Sequence, residues 1–252
     1  MQWLGFHAAA GAGKDTAADY TLRVYGGEKI SLADPLKRFC RAILGFSEAQ
    51  LWGPSANRNK PDPRYAGPLR VSTANIARAR LREQASDWLD EVIPEASMAQ
   101  RTLASETLDA WLEDVLAQQL ITPRYALQTL GTEWGRQLDE NIWLLYADRD
   151  AAKRKVEGFG VVPDCRFLNE AKFIRDCGGL LIEIVRPGYD GSDAMSAGVA
   201  AHASEMDRIR DAEKFKKYVT HTINNNSTLD AFHRRIAEAL TEVTNGKGVL
   251  RR

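Results

Sequence analysis

The sequence predicts an α/β protein, with a five-stranded parallel sheet flanked by helices and a helical insertion after the second strand. Three observations carry the prediction. Short apolar runs of strand length alternate with helical periodicity at both ends of the chain. The first run passes through a glycine-rich turn directly into a helix, and a long, charged, helical stretch separates the second run from the third. Strands that alternate with helices in this way call for parallel pairing and right-handed crossovers.

In order, Trp3-Leu4-Gly5-Phe6-His7-Ala8 reads as a short buried strand, and Lys14 to Tyr25 as a helix closed by Gly26-Gly27. Lys29-Ile30-Ser31-Leu32-Ala33 is the second strand, stopped by Asp34-Pro35, where a new helix can begin with proline in its first turn. From Gly53 to Pro68 the composition is that of a loop, and from about Asn75 to Leu120 it is charged and helical. Leu108, Trp111, Leu112 and Val115 make one apolar helical face, and Thr122-Pro123 ends that helix and starts another carrying Leu127, Leu130, Trp134 and Leu138. Trp88, Trp111, Trp134 and Trp143 read as core rather than as site residues.

The alternation then resumes. Phe159 to Asp164 is the third strand, Asn169 to Cys177 a helix stopped by Gly178-Gly179, and Leu180 to Val185 the fourth strand, apolar but for Glu183. A polar excursion over 187–217 is a candidate lid containing Arg208 and Arg210. Tyr218 to Ile223 is the fifth strand. Ser227-x-x-Asp230 then reads as a capping box ahead of one helical face formed by Leu229, Phe232, Ile236, Leu240 and Val243. The whole of 1–252 reads as one domain, with 38–140 as the helical insertion.

Composition narrows the function class. A formal net charge of zero gives no electrostatic case for a nucleic-acid backbone as the main partner. No apolar run approaches membrane-spanning length. The apolar start, Met1 to Ala10, has no basic leader and runs into the glycine-rich turn, so a buried strand explains it better than a secretory signal. Cys40, Cys165 and Cys177 form no C-x-x-C pair and read as free, buried core thiols in a reducing, cytoplasmic compartment.

After the first strand comes Ala8-Ala9-Ala10-Gly11-Ala12-Gly13-Lys14-Asp15-Thr16, which aligns with G-x-x-x-x-G-K-[ST], the phosphate-binding P-loop. Ala8 stands where the first glycine belongs and Asp15 where the magnesium-binding hydroxyl belongs, with Thr16 one residue later. Gly11 and Gly13 let backbone N–H groups turn inward, the helix beginning near Lys14 adds its positive end, and Lys14 supplies a mobile charge. Gly11, Ala12, Gly13, Lys14, Asp15 and Thr16 are therefore the expected ATP-binding loop.

The third strand ends in Asp164, followed by Arg166 and by Asn169-Glu170 at the start of the next helix. Ligands in parallel sheets sit beyond the carboxyl ends of the strands, so Asp164 and Arg166 should face the crevice that Lys14 faces. Asp164, with Asp15, is suited to Mg²⁺, and Arg166 to a phosphate held bidentately.

Four segments together resemble the bacteriophage deoxynucleoside monophosphate kinases, adenylate kinase-like members of the P-loop kinases. They are Gly11-Ala-Gly-Lys-Asp-Thr16, Leu32-Ala-Asp-Pro-Leu-Lys37, Leu130-Gly-Thr-Glu-Trp-Gly-Arg136, and Asp164-Cys-Arg-Phe-Leu-Asn-Glu170 followed by Gly178-Gly179 and Arg186-Pro187. The resemblance implies transfer of the ATP γ-phosphoryl group to a deoxynucleoside monophosphate, with Mg²⁺, in the host cytoplasm if the protein is phage-encoded. It implies that Lys14, Arg136 and Arg166 are catalytic and that Arg186 lies near the ATP base or phosphates. Asp34, Lys37, Arg136, Asp164, Arg166 and Glu170 would serve the acceptor. A homodimer is left open. Two other readings stand beside this one: a P-loop kinase of another small molecule such as dephospho-coenzyme A, and a nucleotide-binding protein that no longer transfers phosphate.

Overall fold

The computed structural model describes residues 1–189 and 212–247, so the candidate lid arginines, Arg208 and Arg210, lie outside the described residues. The chain divides into two compact units, Met1–Ser31 with Asp148–Arg252, and Leu32–Ala147. Among the described residues no helix is long and apolar enough to cross a membrane.

The first unit holds the sheet. Strands β1 (Gln2–Ala8), β2 (Gly27–Lys29), β3 (Phe159–Val162), β4 (Leu180–Val185) and β5 (His221–Asn224) lie in the order β2-β3-β1-β4-β5, with every pair parallel. Trp3 to His7 and all of β3 are buried in continuous runs, as strands covered on both faces must be. On one face Leu4, Phe6 and Ile182 pack with Ala17 and Ala18 of the helix Lys14–Tyr25 and with Phe232, Ile236 and Leu240 of the helix Leu229–Lys247. Glu183, the polar exception in β4, is half-buried and accepts a hydrogen bond from the Thr222 hydroxyl on the paired strand.

Five expectations move. The second strand is not Lys29–Ala33 but Gly27–Lys29, with Ile30 N–H still donating to the Val161 carbonyl at 2.7 Å. Gly27 explains the shift: its φ is +113°, and a Cβ there would stand 2.1 Å from the Phe159 carbonyl oxygen, so only glycine lets the edge strand enter at that point. The fifth strand starts at His221 rather than Tyr218, because Tyr218 N–H is used in a turn back to Phe215. Thr228, not Ser227, caps the last helix, accepting from Ala231 N–H at 3.3 Å. Leu229 leaves the buried face of that helix and is 57 % exposed, while the side chain of Val243 lies outside the described residues. Of the cysteines, Cys40 and Cys165 are buried but Cys177 is exposed.

The second unit is helical. Asp34–Leu44, Arg70–Val92, Met98–Ala117 and Pro123–Gln128 surround a core into which Leu108, Trp111, Leu112 and Val115 all project. The stretch read as continuously helical breaks at Pro94, and Ser97 with Gln100 recaps the chain reciprocally. Trp88, Trp111, Trp134 and Trp143 are all buried. Phe39 stacks on Trp88 at 3.9 Å between ring centroids, and Trp88 and Trp134 lie 5.0 Å apart. The indole N–H groups of Trp111, Trp134 and Trp143 donate to Thr129 Oγ1, the Ala104 carbonyl and the Gly131 carbonyl, which removes the cost of burying them. Thr129–Gly135 is a π-helical segment running into Arg136–Leu138, and this places Arg136 at the end of a wide turn.

Candidate active site

The phosphate loop is built by its backbone. Ala12 N–H closes a turn on the Ala9 carbonyl at 3.1 Å, and Gly11 (φ +77°) and Gly13 (φ +110°) take conformations that L side chains rarely adopt. Ala8, at the first-glycine position of the motif, has no positive φ, so a side chain is tolerated there. The first helical bond across the loop runs from Ala17 N–H to the Gly13 carbonyl at 3.0 Å. The N–H groups of Lys14, Asp15 and Thr16, in the first turn of the helix, have no carbonyl one turn behind them.

Two residues tie down the loop's carbonyls. Arg186 Nη1 donates to the Gly11 carbonyl at 3.0 Å and Asn225 Nδ2 to the Ala12 carbonyl at 2.8 Å. With the Ala9, Gly11, Ala12 and Gly13 carbonyls occupied and the first-turn N–H groups open, the loop suits an anion at a helix N-terminus. A cavity of about 390 Å³ opens there, lined by Gly11, Gly13, Lys14, Asp15, Thr16, Arg186, Asn225, Leu229 and Phe232. Asn225 was not singled out in the sequence. Its signal was the run Asn224-Asn225-Asn226 directly after a strand, where side chains at a sheet's carboxyl end reach the site.

Sheet order explains why Asp164 meets Lys14. The connection after β1 leads to β2 on one side of the sheet, whereas that after β3 crosses β1 to reach β4. Neighbouring strands whose connections diverge leave a crevice at their carboxyl ends. The chain leaving β3 is pinned to β1 by Cys165 N–H on the Phe6 carbonyl, and His7 Nδ1 lies 2.9 Å from the Cys165 carbonyl. Lys14 Nζ stands 3.9 Å from both Asp164 Oδ1 and Asp15 Oδ2. Arg166 holds Asp164 Oδ2 with Nη2 at 2.5 Å and Nε at 2.7 Å. Glu170 is buried and accepts from the backbone N–H groups of Arg166 (2.7 Å) and Phe167 (3.1 Å), which fixes the turn that presents Arg166. Burial, then the Glu170 and Asp164 carboxylates, pushes the Cys165 thiol well above its ordinary range. It stays protonated and inert.

Lys14, Asp15, Asp164, Arg166, Glu170 and Arg186 thus belong to the first unit; Asp34, Lys37 and Arg136 belong to the second. Asp34 and Lys37 lie in the first turn of one helix, with Lys37 Nζ 3.3 Å from Asp34 Oδ1. Arg136 is half-buried. Arg186 is exposed, with its guanidinium 4.4 Å from the Tyr189 ring centroid.

Among the described residues no group of three or more His, Cys, Asp or Glu side chains converges on a metal position. Hard oxygen is on offer from the Asp15 carboxylate and Thr16 hydroxyl of the loop and from the Asp164 carboxylate after β3. That set fits Mg²⁺, which is bound through one or two carboxylates and substrate phosphates while keeping several waters.

A family model described as deoxynucleotide monophosphate kinase matches residues 6–236. A curated protein of Acanthamoeba polyphaga mimivirus, whose name assigns it provisionally to the deoxynucleotide monophosphate kinases, is 27 % identical over 237 residues, 94 % of each chain. The deoxynucleoside-5′-monophosphate kinase of Escherichia phage T5 is 30 % identical over 203 residues, 72 % of this chain and 77 % of its own. Among solved structures, a dephospho-CoA kinase from Campylobacter jejuni aligns over 98 % of this chain and 99 % of its own, with a TM-score of 0.40 and 13 % identity.

Proposed function

The chain belongs to the deoxynucleotide monophosphate kinase family, and from that premise we infer that it moves the γ-phosphoryl group of ATP onto a deoxynucleoside monophosphate, giving the diphosphate and ADP. The observation that carries the reading onto this chain's own residues is the line of charges at the sheet's carboxyl end, from the phosphate loop through Lys14 and Asp164 to Arg166. A protein that only bound ATP would need the loop and Lys14. It would have no use for a second guanidinium beside them.

Phosphoryl transfer asks for positioning and for positive charge spread over the transferring group. The open N–H groups at Lys14 to Thr16 hold the donor's phosphates, and Lys14 Nζ follows the charge that builds on the γ-phosphoryl oxygens. Asp164 keeps Lys14 and Arg166 aimed in the absence of substrate. Arg166 takes the acceptor phosphate, and the family resemblance assigns Arg136 and Lys37 to the same substrate. No general base is required, because the attacking phosphate oxygen is ionised at neutral pH. Mg²⁺, held at Asp164 and Asp15, would neutralise the donor's phosphate charge. Excluding water prevents simple hydrolysis of ATP.

A site selective for deoxyribose leaves a 2′-hydroxyl without room or a partner, which costs about 1–3 kcal/mol, roughly 5- to 150-fold in specificity. At least one deoxynucleoside monophosphate should therefore be phosphorylated with kcat/KM about fivefold or more above its ribo counterpart. A coupled assay across paired deoxy- and ribonucleotides measures this, and equal values in every pair would leave a general nucleoside monophosphate kinase in its place.

A further inference from the structure

Six tryptophans occur in the chain, and five of them, Trp3, Trp88, Trp111, Trp134 and Trp143, are 8 % exposed or less. Trp52 is 38 % exposed. It lies neither in the strand that buries Trp3 nor in the helical segments that bury the other four, but at the position that ends the short helix Glu48–Leu51. An indole left in water at a position with no role would be free to turn. This one is fixed at both ends.

Its backbone is clamped. Arg58 Nη1 donates to the Leu51 carbonyl and to the Gly53 carbonyl, both at 3.1 Å, one on each side of Trp52. Trp52 N–H itself bonds the Glu48 carbonyl at 2.8 Å. Arg124, whose guanidinium bonds Ser55 and Asn59, braces the following segment. Its side chain is aimed as well. Trp52 Nε1 donates to Asp34 Oδ1 at 3.2 Å, and the Lys37 ammonium lies 5.7 Å from the ring centroid. Both indole partners are thus the residues assigned above to the acceptor.

A fixed, partly exposed aromatic face beside an ammonium matches a nucleotide's two features, a planar base and an anionic phosphate. We propose that Trp52 is the surface on which the acceptor's base stacks, oriented by Asp34 and set beside the phosphate charge supplied by Lys37. The proposal rests on the kinase reading above. Stacking requires only the π-face that every base presents, so Trp52 contributes affinity without reading the base's edge.

The test uses the full-length enzyme with Trp52→Leu and Trp52→Phe variants. Phenylalanine keeps an aromatic face but cannot donate to Asp34, whereas leucine keeps only the apolar bulk. Folding is checked for both by circular dichroism, and the tryptophan emission of the wild type is titrated with a deoxynucleoside monophosphate in the absence of ATP. The wild type should be quenched, because Trp52 is the solvent-exposed tryptophan. In Trp52→Leu the acceptor KM should rise about tenfold, the range for loss of one base stack, with the ATP KM within about twofold. Trp52→Phe should stay within about threefold of the wild type and show no quenching. An acceptor KM unchanged in Trp52→Leu, or one raised equally in both variants, would overturn the proposal; in the second case the bond to Asp34, and not the face, would be what matters. Wild-type enzyme that phosphorylates no monophosphate would remove the kinase reading and this proposal together, whereas an active wild type with an unaffected Trp52→Leu would remove the proposal alone.

Discussion

Replacing Lys14 with alanine should lower turnover about a hundredfold or more while the protein stays folded. The size follows from where the charge acts. Lys14 Nζ is only 3.9 Å from Asp164 and Asp15, and its side chain is 15 % exposed, so it sits in a partly desolvated site. A charge aimed at oxygens that become more negative in the transition state lowers the barrier. Removing one such preorganised donor costs roughly 10²–10³ in kcat. Stability should barely move, because ion pairs this long contribute about 0–1 kcal/mol. The measurement is steady-state kinetics beside a thermal melt. Near wild-type turnover would remove Lys14 from the phosphoryl-transfer step.

The second large effect is expected at the arginines. Arg166→Ala should reduce kcat/KM for the acceptor by roughly 10- to 100-fold, the worth of a charge-assisted hydrogen bond to phosphate, with the ATP KM within about threefold. Arg136→Ala should show the same asymmetry. Both variants are read by varying each substrate at saturation of the other. Weakened ATP binding with unchanged acceptor kinetics in both would show that these arginines serve the donor.

Where the chain obeys strong local rules, the sequence was enough. Buried parallel strands read as apolar runs, so β4 was found at its observed bounds, and the helix Lys14–Tyr25 was bracketed by glycines that cannot continue it. The misses share one cause, which is that a tertiary contact chose between local options. Gly27 starts the edge strand because Phe159 approaches too closely for any side chain, and no periodicity in Gly26 to Lys29 announces that. Thr228 and Ser227 are equivalent as caps by type, and only the geometry selects Thr228.

The candidate site was legible to the same extent. The phosphate loop and the Asp164–Arg166 pair follow from spacing and strand ends, because both lie where backbone topology must put them. Asn225 and Trp52 do not. Asn225 matters through one bond to the Ala12 carbonyl across 213 residues of sequence, and Trp52 through Asp34, Lys37 and a clamp on its neighbours' carbonyls. Contacts of that kind leave no periodic signal. The indole at position 52 could have been found only as the tryptophan that fits neither a strand nor a helical face.

The claim on which the rest depends is that the γ-phosphoryl group leaves ATP for a nucleoside monophosphate. Incubating the wild-type enzyme with ATP radiolabelled in its γ-phosphate, Mg²⁺ and each common deoxynucleoside monophosphate, then separating the nucleotides, follows that group directly. Label is expected in a deoxynucleoside diphosphate, formed one for one with ADP. Label that appears only as inorganic phosphate, or that stays in ATP with every monophosphate offered, would contradict it.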